Sequence, residues 1–491
     1  MLLGRLIVLL WIATGLSHAE SEQSVSLKEC LQRALRFNLD LRIAKAEPGI
    51  AESEWRGARA GYYDPTINIS GTRASETQPG GIDAQNRAFP GSDTQTDGFS
   101  ASLLGRAPSG ASFGVRSFLN DSEGSNPGGP FTNANGGLFA EVRQPLLRNL
   151  LTDGDRLTIQ LLRKNLQVSE VVLQDDIMRL VGLVEAAYID LIAARASLSV
   201  RKEAEALAAK ILDGDRKRIA ATTLAPNDAK QSEAQLEARK VGVLQARQSV
   251  YIAENTLKGL FTDDFAAWRD IRLLPNQSLT SPKSTDLDIK ASWARGLANR
   301  PDLQQATLEL EKQGLALRHA KQAQLPSLDL VGRYGLAGSG ADTTAVREGI
   351  EDRSGPSWSV GLEMSIPLTN RRAREASKAA QLRLSQQSDT LRKLKQEVLI
   401  EIDNAVRGAE LAAERVKASE SAQRLANEAV DAEEKKLRTG RSTTFIVLLL
   451  QNNLTEARLQ KVLADAQYER ALVQLALAEG SILQRHEIAI E

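Results

Sequence analysis

The sequence predicts an α+β chain in which a few β-strands alternate with very long helices. It further predicts two internal repeats per chain and a β-barrel that only several copies together can close. Three observations carry this. The stretch "LQRALRFNLDLRIAKAEPGIAESEWRGARAGYYDPTINISG" is echoed half a chain later by "WARGLANRPDLQQATLELEKQGLALRHAKQAQLPSLDLVG". Arg33, Leu35, Asp40 and Leu41 fall opposite Arg295, Leu297, Asp302 and Leu303; after one slipped residue, Pro65 and Gly71 fall opposite Pro326 and Gly332. A period this long exceeds the roughly 20–50 residues of solenoid repeats and indicates duplication of one large unit. Second, each half holds an amphipathic run of more than sixty residues without proline, which as a helix would reach about 100 Å at ~1.5 Å per residue. Third, the chain opens with a secretion leader and has no apolar helix long enough to cross a bilayer.

In the leader, residues 1–19, Arg5 supplies the positive start and residues 6–16 the apolar stretch. Ser17 and Ala19 are the small residues expected before a cleavage site, placed after Ala19. The run "FIVLLL" at 445–450 is far too short to span a membrane. A secreted chain of this kind is soluble or enters a membrane as a β-barrel.

The first repeat, residues 20–263, begins with Ser26 as a helix N-cap and Glu29 placed to complete a capping box. Leu27, Leu31, Ala34 and Leu35 continue an apolar stripe at helical spacing. The helical pattern persists to about Tyr62, with a bend expected at Pro48. The period then changes to two: in "PTINISGTR", Ile67 and Ile69 alternate with polar residues. After a polar loop at 74–98, three further strand-like segments, "FSASLL", "GASFGVRSFL" and "GGLFAEVRQPL", are separated by Gly, Pro and Asn turns. A helix is predicted from Asp155 to about Ala220, a break at "ATTLAPND", and a second helix from Asp228 to about Phe261. Residues 264–288, rich in Ser, Thr and Pro, read as a connector.

The second repeat, residues 289–491, restates the order. A helix from Ile289 to about Gln324 leads to a strand at "PSLDLVGRYGL" and another at "SWSVGLEMSIPL", where Trp358, Val360, Leu362, Met364 and Ile366 alternate with polar residues. A helix over 371–438, the break "TGRSTT" and a final helix to about Ile482 complete it. Helices this long must bury their stripes against each other or against copies, as antiparallel coiled coils do. Open strand edges cannot sit in lipid, so a few strands per chain call for a homo-oligomer that shares one closed barrel.

Composition excludes several classes. Lys+Arg and Asp+Glu are both 62 among 491 residues, and a chain without basic surplus is a poor nucleic-acid binder. A single cysteine, Cys30, allows no intramolecular disulfide, and its place on the apolar side of the first helix marks it as a core residue. After the leader only His319 and His486 remain, without metal-ligand spacing, and three methionines argue against a Met-rich metal relay. No phosphate-binding glycine loop and no nucleophile elbow is present. No cofactor, no metal and no catalytic residue is expected.

The segments "SLKECLQRALRFNLDL", "EAAYIDL", "QPLLRN", "ANRPDL" and "LRTGRSTTFIVLLLQNNLTEAR", with the proline opening each first strand, resemble in order the TolC-type outer-membrane efflux proteins. The resemblance covers nearly the whole chain after the leader. It implies a homotrimer in the cell outer membrane, with a β-barrel continued by a long α-helical tunnel in the periplasm. It implies a passive exit duct for tripartite efflux or type I secretion, fed by an inner-membrane pump (RND, ABC or MFS type) through a periplasmic adaptor, or membrane fusion, protein. On that reading Ile67, Ile69, Leu328, Leu330, Trp358, Val360 and Leu362 face outer-membrane lipid. The rival reading is a periplasmic coiled-coil structural or adaptor protein whose strands form a small soluble domain.

The resemblance also implies where partners dock. The two helix-to-helix turns, at Thr222, Thr223, Leu224, Ala225 and at Gly440, Arg441, Ser442, Thr443, would form the adaptor-docking tip. Asp228, with Arg441 as the nearest basic candidate, would be a polar latch there, or Asp228 would stabilise the start of its own helix. The family's acidic entrance positions hold Ile446 and Leu449 here, beside Phe445, which read as an apolar constriction or as plain core packing. Leu39 and Thr222 depart from the family's usual Pro and Gly. The first repeat carries four strand segments where two are implied, so the extra pair, 99–104 and 111–120, is expected to extend the first strands beyond the membrane as a hairpin.

Overall fold

The computed structural model describes residues 21–82, 84–221, 226–279 and 287–488. The expected leader and the turn residues Thr222, Thr223, Leu224 and Ala225 lie outside the described residues, as do the side chains of 226–229. The first half of the chain forms β1 (Ser21–Val25), α1 (Leu27–Phe37), α2 (Leu39–Ala44), α3 (Ala46–Tyr63), β2 (Thr66–Gln78), the short β3 (Gly81–Ile82) and β4 (Ala88–Phe89), β5 (Ser92–Arg106), β6 (Ser112–Asn126), β7 (Gly129–Pro145), α4 (Gly154–Ala220) and α5 (Pro226–Phe261). The second half follows with α6 (Phe265–Trp268), β8 (Ile271–Pro275), α7 (Ile289–Asn299), α8 (Pro301–Gln322), β9 (Ser327–Gly340), α9 (Thr343–Glu351), β10 (Pro356–Ser365), α10 (Arg371–Arg438), α11 (Thr444–Ala478) and α12 (Ile482–Arg485). The described residues divide into two units, each drawing on both halves: those within 21–46, 172–303 and 394–488 form one, those within 47–171 and 304–393 the other.

The first unit is helical. The capping box opens α1 as expected, with the Glu29 amide donating to Ser26 Oγ at 3.2 Å and the Ser26 amide to Glu29 Oε2 at 2.9 Å. The single helix expected up to Tyr62 is broken twice. Asn38 is extended (φ −62°, ψ 128°), and its side chain caps α2 by accepting from the Leu41 amide at 2.9 Å. A second break at Lys45 places Pro48 in the first turn of α3, where a missing amide costs nothing. The second repeat breaks at the matching residue: Arg300 is extended (φ −71°, ψ 124°) because Pro301 disfavours a helical residue before it. The continuous helix expected over 289–324 is therefore two, α7 and α8. One repeat achieves the break with proline and the other with an asparagine cap, which is how "NLDL" does without the proline of "NRPDL".

The expected connector also holds structure. β8 pairs in parallel with β1, Ser21 opposite Ile271 through Val25 opposite Pro275, closing a two-stranded sheet over the helices. Leu31 and Cys30 of α1, Val184, Tyr188 and Leu191 of α4, Leu257 and Phe261 of α5, and Leu273 of β8 share one core. Cys30 is only 1% exposed, as its sequence position implied. The Tyr188 hydroxyl donates to the Val25 carbonyl at 3.1 Å, so the one polar atom of that ring is satisfied. Lys258 is buried too, its ammonium donating to the Arg269 carbonyl at 3.3 Å; desolvation lowers its pKa, opposed by the charge of Glu254.

The second unit is built on one antiparallel sheet of six strands in the order β10-β9-β7-β6-β5-β2. This overturns the expected placement of the extra pair. β5 and β6 do not stand beyond the other strands as a hairpin; they lie between β2 and β7, paired along their whole length, Thr66 opposite Leu104 and Arg106 opposite Ser112. Pairing with β2 and β7 satisfies the outer edges of that hairpin, which would be unpaired if it projected alone. The strands are also longer than their apolar segments. β2 runs to Gln78 and β5 begins at Ser92, through sequence with no apolar alternation.

Candidate functional site: a two-faced sheet and a helical turn

Directly opposed residues of an antiparallel pair point to the same side, so the register sorts every strand side chain onto one of two faces. On one face stand Ile67 and Ile69 of β2, Phe99 and Leu103 of β5, Phe113 and Val115 of β6. Leu138 and Val142 of β7 continue it, then Leu330 and Tyr334 of β9. Trp358, Val360 and Leu362 of β10 finish the row, opposite Tyr334, Gly332 and Leu330. All seven residues singled out as lipid-facing (Ile67, Ile69, Leu328, Leu330, Trp358, Val360 and Leu362) share this face. Sequence reasoning read the alternation of Leu138, Ala140 and Val142 without assigning it to lipid, and passed over Phe99, Leu103 and Val115, which share the same face.

The apolar face has a limited height. On β9 it runs from Leu328 to Leu336, about 27 Å of strand at ~3.4 Å per residue. At the usual barrel tilt of about 40° that is roughly 20 Å, close to the ~25 Å apolar band of outer-membrane barrels. Further along β2 and β5 the same face turns charged, where Arg73 grips Asp97 with Nε at 2.7 Å and Nη2 at 2.6 Å. At this end α9 folds back onto the apolar face, with Val346 nearly inaccessible. Gly338 permits that approach, since a Cβ there would lie 2.3 Å from the Val346 carbonyl oxygen.

The opposite face is polar. Ser70 and Ser100 share a hydrogen bond at 2.8 Å, Thr96 and Ser122 at 3.0 Å, and Asn120 donates to Asn135 at 3.2 Å. Arg143 of β7 bridges Asp329 of β9 at 3.1 Å and Glu363 of β10 at 2.6 Å. Arg333 lies over the Phe139 ring, 4.9 Å from its centroid. A cavity of about 700 Å³ opens on this face beside Tyr62, Arg106, Arg116, Phe139, Glu141 and Arg333. Tyr62 in its lining is held by Asp153, which accepts from the Tyr62 hydroxyl at 2.7 Å and from Arg156 Nε at 3.0 Å.

The second helix-to-helix turn lies in the other unit. α10 ends as the Gly440 amide donates to the Leu437 carbonyl at 3.1 Å and the Arg441 amide to the Lys436 carbonyl at 2.9 Å. Gly440 has φ +74°, a left-handed conformation that glycine takes at little cost. Ser442 donates to Glu433 Oε1 at 2.6 Å, and Lys436 donates to Oε2 at 2.9 Å. The Ser442 hydroxyl, then the Lys436 ammonium, hold the Glu433 carboxyl below its ordinary pKa. Thr443 precedes α11 in an extended conformation without a side-chain cap bond. The Arg441 side chain is exposed and forms no ion pair among the described residues. Asp228 falls in the first turn of α5, and its side chain lies outside the described residues.

The apolar run behind the turn is split between two faces of α11. Val447 and Leu448 are buried, as core packing requires, while Phe445, Ile446 and Leu449 are exposed at 55%, 39% and 48%. The exposed three are those that the sequence reading placed at and beside the expected entrance.

Of the two histidines beyond residue 19, His486 has a hydrogen-bond partner, whereas the buried Nδ1 of His319 has none among the described residues. His486 Nε2 lies 2.8 Å from Glu185 Oε2 in the helical core, and His319 sits on α8. Among the described residues no group of three or more His, Cys, Asp or Glu side chains could hold a metal ion.

Residues 294–481 match the family model described as outer membrane efflux protein. A search of curated proteins finds no match. Among solved structures the chain is similar to a membrane protein from Pseudomonas aeruginosa, at 18% identity over 92% of this chain and 90% of that one, with a TM-score of 0.67. It is similar to the Campylobacter jejuni CmeC outer membrane channel, at 15% identity over 93% and 85%, with a TM-score of 0.66. It is also similar to the open state of the Neisseria gonorrhoeae MtrE outer membrane channel, at 16% identity over 93% and 89%, with a TM-score of 0.64. At these identities the likeness is one of fold.

Proposed function

We propose that this chain, which has the fold of the TolC-type outer-membrane channels and the outer membrane efflux protein domain in its second half, is an outer-membrane exit duct. The observation that carries the reading is the single apolar face shared by all six strands, backed by a polar face and bounded by two unpaired edges, β2 and β10. Such a sheet is unstable in water and in lipid alone. It becomes stable when copies pair edge to edge, apolar side to lipid and polar side to a water-filled bore. The strand directions alternate across the sheet, so β10 of one copy meets β2 of the next antiparallel.

In this reading three copies form the barrel, and their long helices form the periplasmic tunnel. The turn at Gly440, Arg441, Ser442 and Thr443, with the one at Thr222, Thr223, Leu224 and Ala225, presents a docking tip to a periplasmic adaptor. An inner-membrane pump supplies the energy, and the duct conducts small molecules or proteins passively. Phe445, Ile446 and Leu449 are the apolar constriction of the resting tip; their exposure in a single chain supports this over core packing.

The test is fractionation and conductance. The expected result is a heat-sensitive trimer in outer-membrane fractions that conducts ions in planar bilayers. A soluble periplasmic monomer would instead establish the coiled-coil scaffold.

A further inference from the structure

The two repeats match in their helices but not in their strands. The second repeat contributes two strands to the sheet, β9 and β10; the first contributes four, β2, β5, β6 and β7. Two matching repeats would give a four-stranded sheet, so β5 and β6 are the surplus. Their side chains show what the surplus is for. Phe99, Ala101 and Leu103 of β5 stand on the apolar face, opposite Leu119, Ser117 and Val115 of β6. Ser100 and Ser102 stand on the polar face, opposite Phe118 and Arg116. Phe99 is 62% exposed, as open to its surroundings as Leu362 of β10 at 65%. A hairpin projecting into water would have no reason to carry an apolar row in register with those of β2 and β7.

We propose that β5 and β6 are load-sharing staves of the lipid-facing wall, so that the barrel of three copies has eighteen strands. Barrel diameter grows roughly in proportion to strand number, so the bore is about half as wide again as two strands per repeat would make it. A barrel of that size encloses a water-filled channel that side chains do not plug. The polar face lining it, with Arg116, Phe139 and Arg333, is then the inner surface past which cargo moves. The membrane section passes bulky solutes or extended polypeptide, and size selection falls to the helical part.

This rests on the duct reading, and the experiment separates the two. In a full-length Cys30→Ala background, single cysteines replace Leu103, Val115, Ser102 and Val360. Each variant carries an environment-sensitive fluorophore and is reconstituted in vesicles with bromine on the lipid acyl chains. Fluorescence at Leu103→Cys and Val115→Cys is expected to be quenched as strongly as at Val360→Cys, with Ser102→Cys unaffected. Quenching at Val360→Cys without quenching at Leu103→Cys and Val115→Cys overturns the wide wall and leaves the duct standing. No quenching at Val360→Cys overturns the duct, and the wide wall with it. Should labelled variants fail to assemble, electron cryo-microscopy of the native chain in lipid nanodiscs decides by direct count: eighteen strands support the proposal and twelve refute it.

Discussion

Arg295 of α7 holds Glu479, at the end of α11, with two hydrogen bonds, Nε to Oε2 at 2.8 Å and Nη2 to Oε1 at 2.6 Å. Arg33, its counterpart in the first repeat, instead lies over the Trp268 ring, 4.6 Å from the centroid. The same arginine thus ties its helix to the neighbouring elements through a carboxylate in one repeat and an aromatic face in the other. Glu479 is 4% exposed, so truncating its partner leaves a carboxylate poorly solvated. Arg295→Ala is expected to cost about 1–3 kcal/mol in thermal or denaturant unfolding. Burial works to raise the Glu479 pKa, but hydrogen bonds from Arg295 and Ser292 outweigh it and keep the carboxyl below its ordinary value.

A depressed folded pKa gives a definite sign. Glu479 contributes its stability at neutral pH, begins to lose it below the ordinary unfolded value of about 4.3, and has lost it once pH passes the folded value. Glu479→Gln should therefore flatten the acid limb of the stability profile. Parallel acid limbs in variant and parent would show that the pair does not stabilise the fold.

Gly440 is left-handed, and beyond its chain neighbours no atom of the described residues lies within 4 Å of where its Cβ would be. A side chain there meets no clash, so the cost is purely conformational. Gly440→Val is expected to destabilise the turn by about 1–2 kcal/mol, and Gly440→Asn by less. Faster proteolytic nicking between α10 and α11 in the Val variant is the readout; equal nicking in all three would mean the turn relaxes freely.

Adjacent residues of β10 give a matched pair of tests. Val360 stands on the apolar face and Ser359 on the polar one. Val360→Arg should cost about 2–4 kcal/mol in unfolding from lipid if it lies near mid-membrane, while Ser359→Arg should be nearly neutral. Equal costs would mean that the two faces see the same medium.

At the tip, Ile446→Asp or Leu449→Asp would place a carboxylate from each copy around the proposed constriction. Converging carboxylates bind multivalent cations, so conductance of these variants should be blocked by a trivalent cation that leaves the parent unaffected. A parent channel blocked by the same cation would locate an acidic ring elsewhere.

The long helices were legible because an uninterrupted amphipathic pattern has few competing solutions. The faces of β2, β9 and β10 were legible for the same reason at period two. What escaped was non-local. Ser21–Val25 and Ile271–Pro275 are short, lie about half the chain apart, and become strands only through each other. The place of β5 and β6 escaped because alternation assigns faces within a strand, not neighbours between strands. Strand ends escaped because beyond the apolar rows both faces are polar, and "SETQ" has no reason to alternate. The break at Arg300 was missed although Pro301 signals it, because one helix was expected over 289–324; the equivalent break at Asn38 needed a capping side chain that resembles any other helix-start residue.

The helices of the two repeats have stayed almost equal, 67 and 68 residues for α4 and α10, 36 and 35 for α5 and α11. The strands have not, and the difference is one whole hairpin. Adding β5 and β6 together returns the chain to the side from which it set out, so β7 still delivers α4 where α3 ended. One strand alone would have reversed everything downstream and, in the proposed duct, sent α4 to the opposite side of the membrane. Parity thus makes the circumference of the proposed barrel the dimension that a hairpin insertion alters with least consequence for the rest of the chain. In the proposed duct, length is held by what the helices must reach and direction by the membrane, but girth can change two strands at a time without the rest of the chain being rewritten.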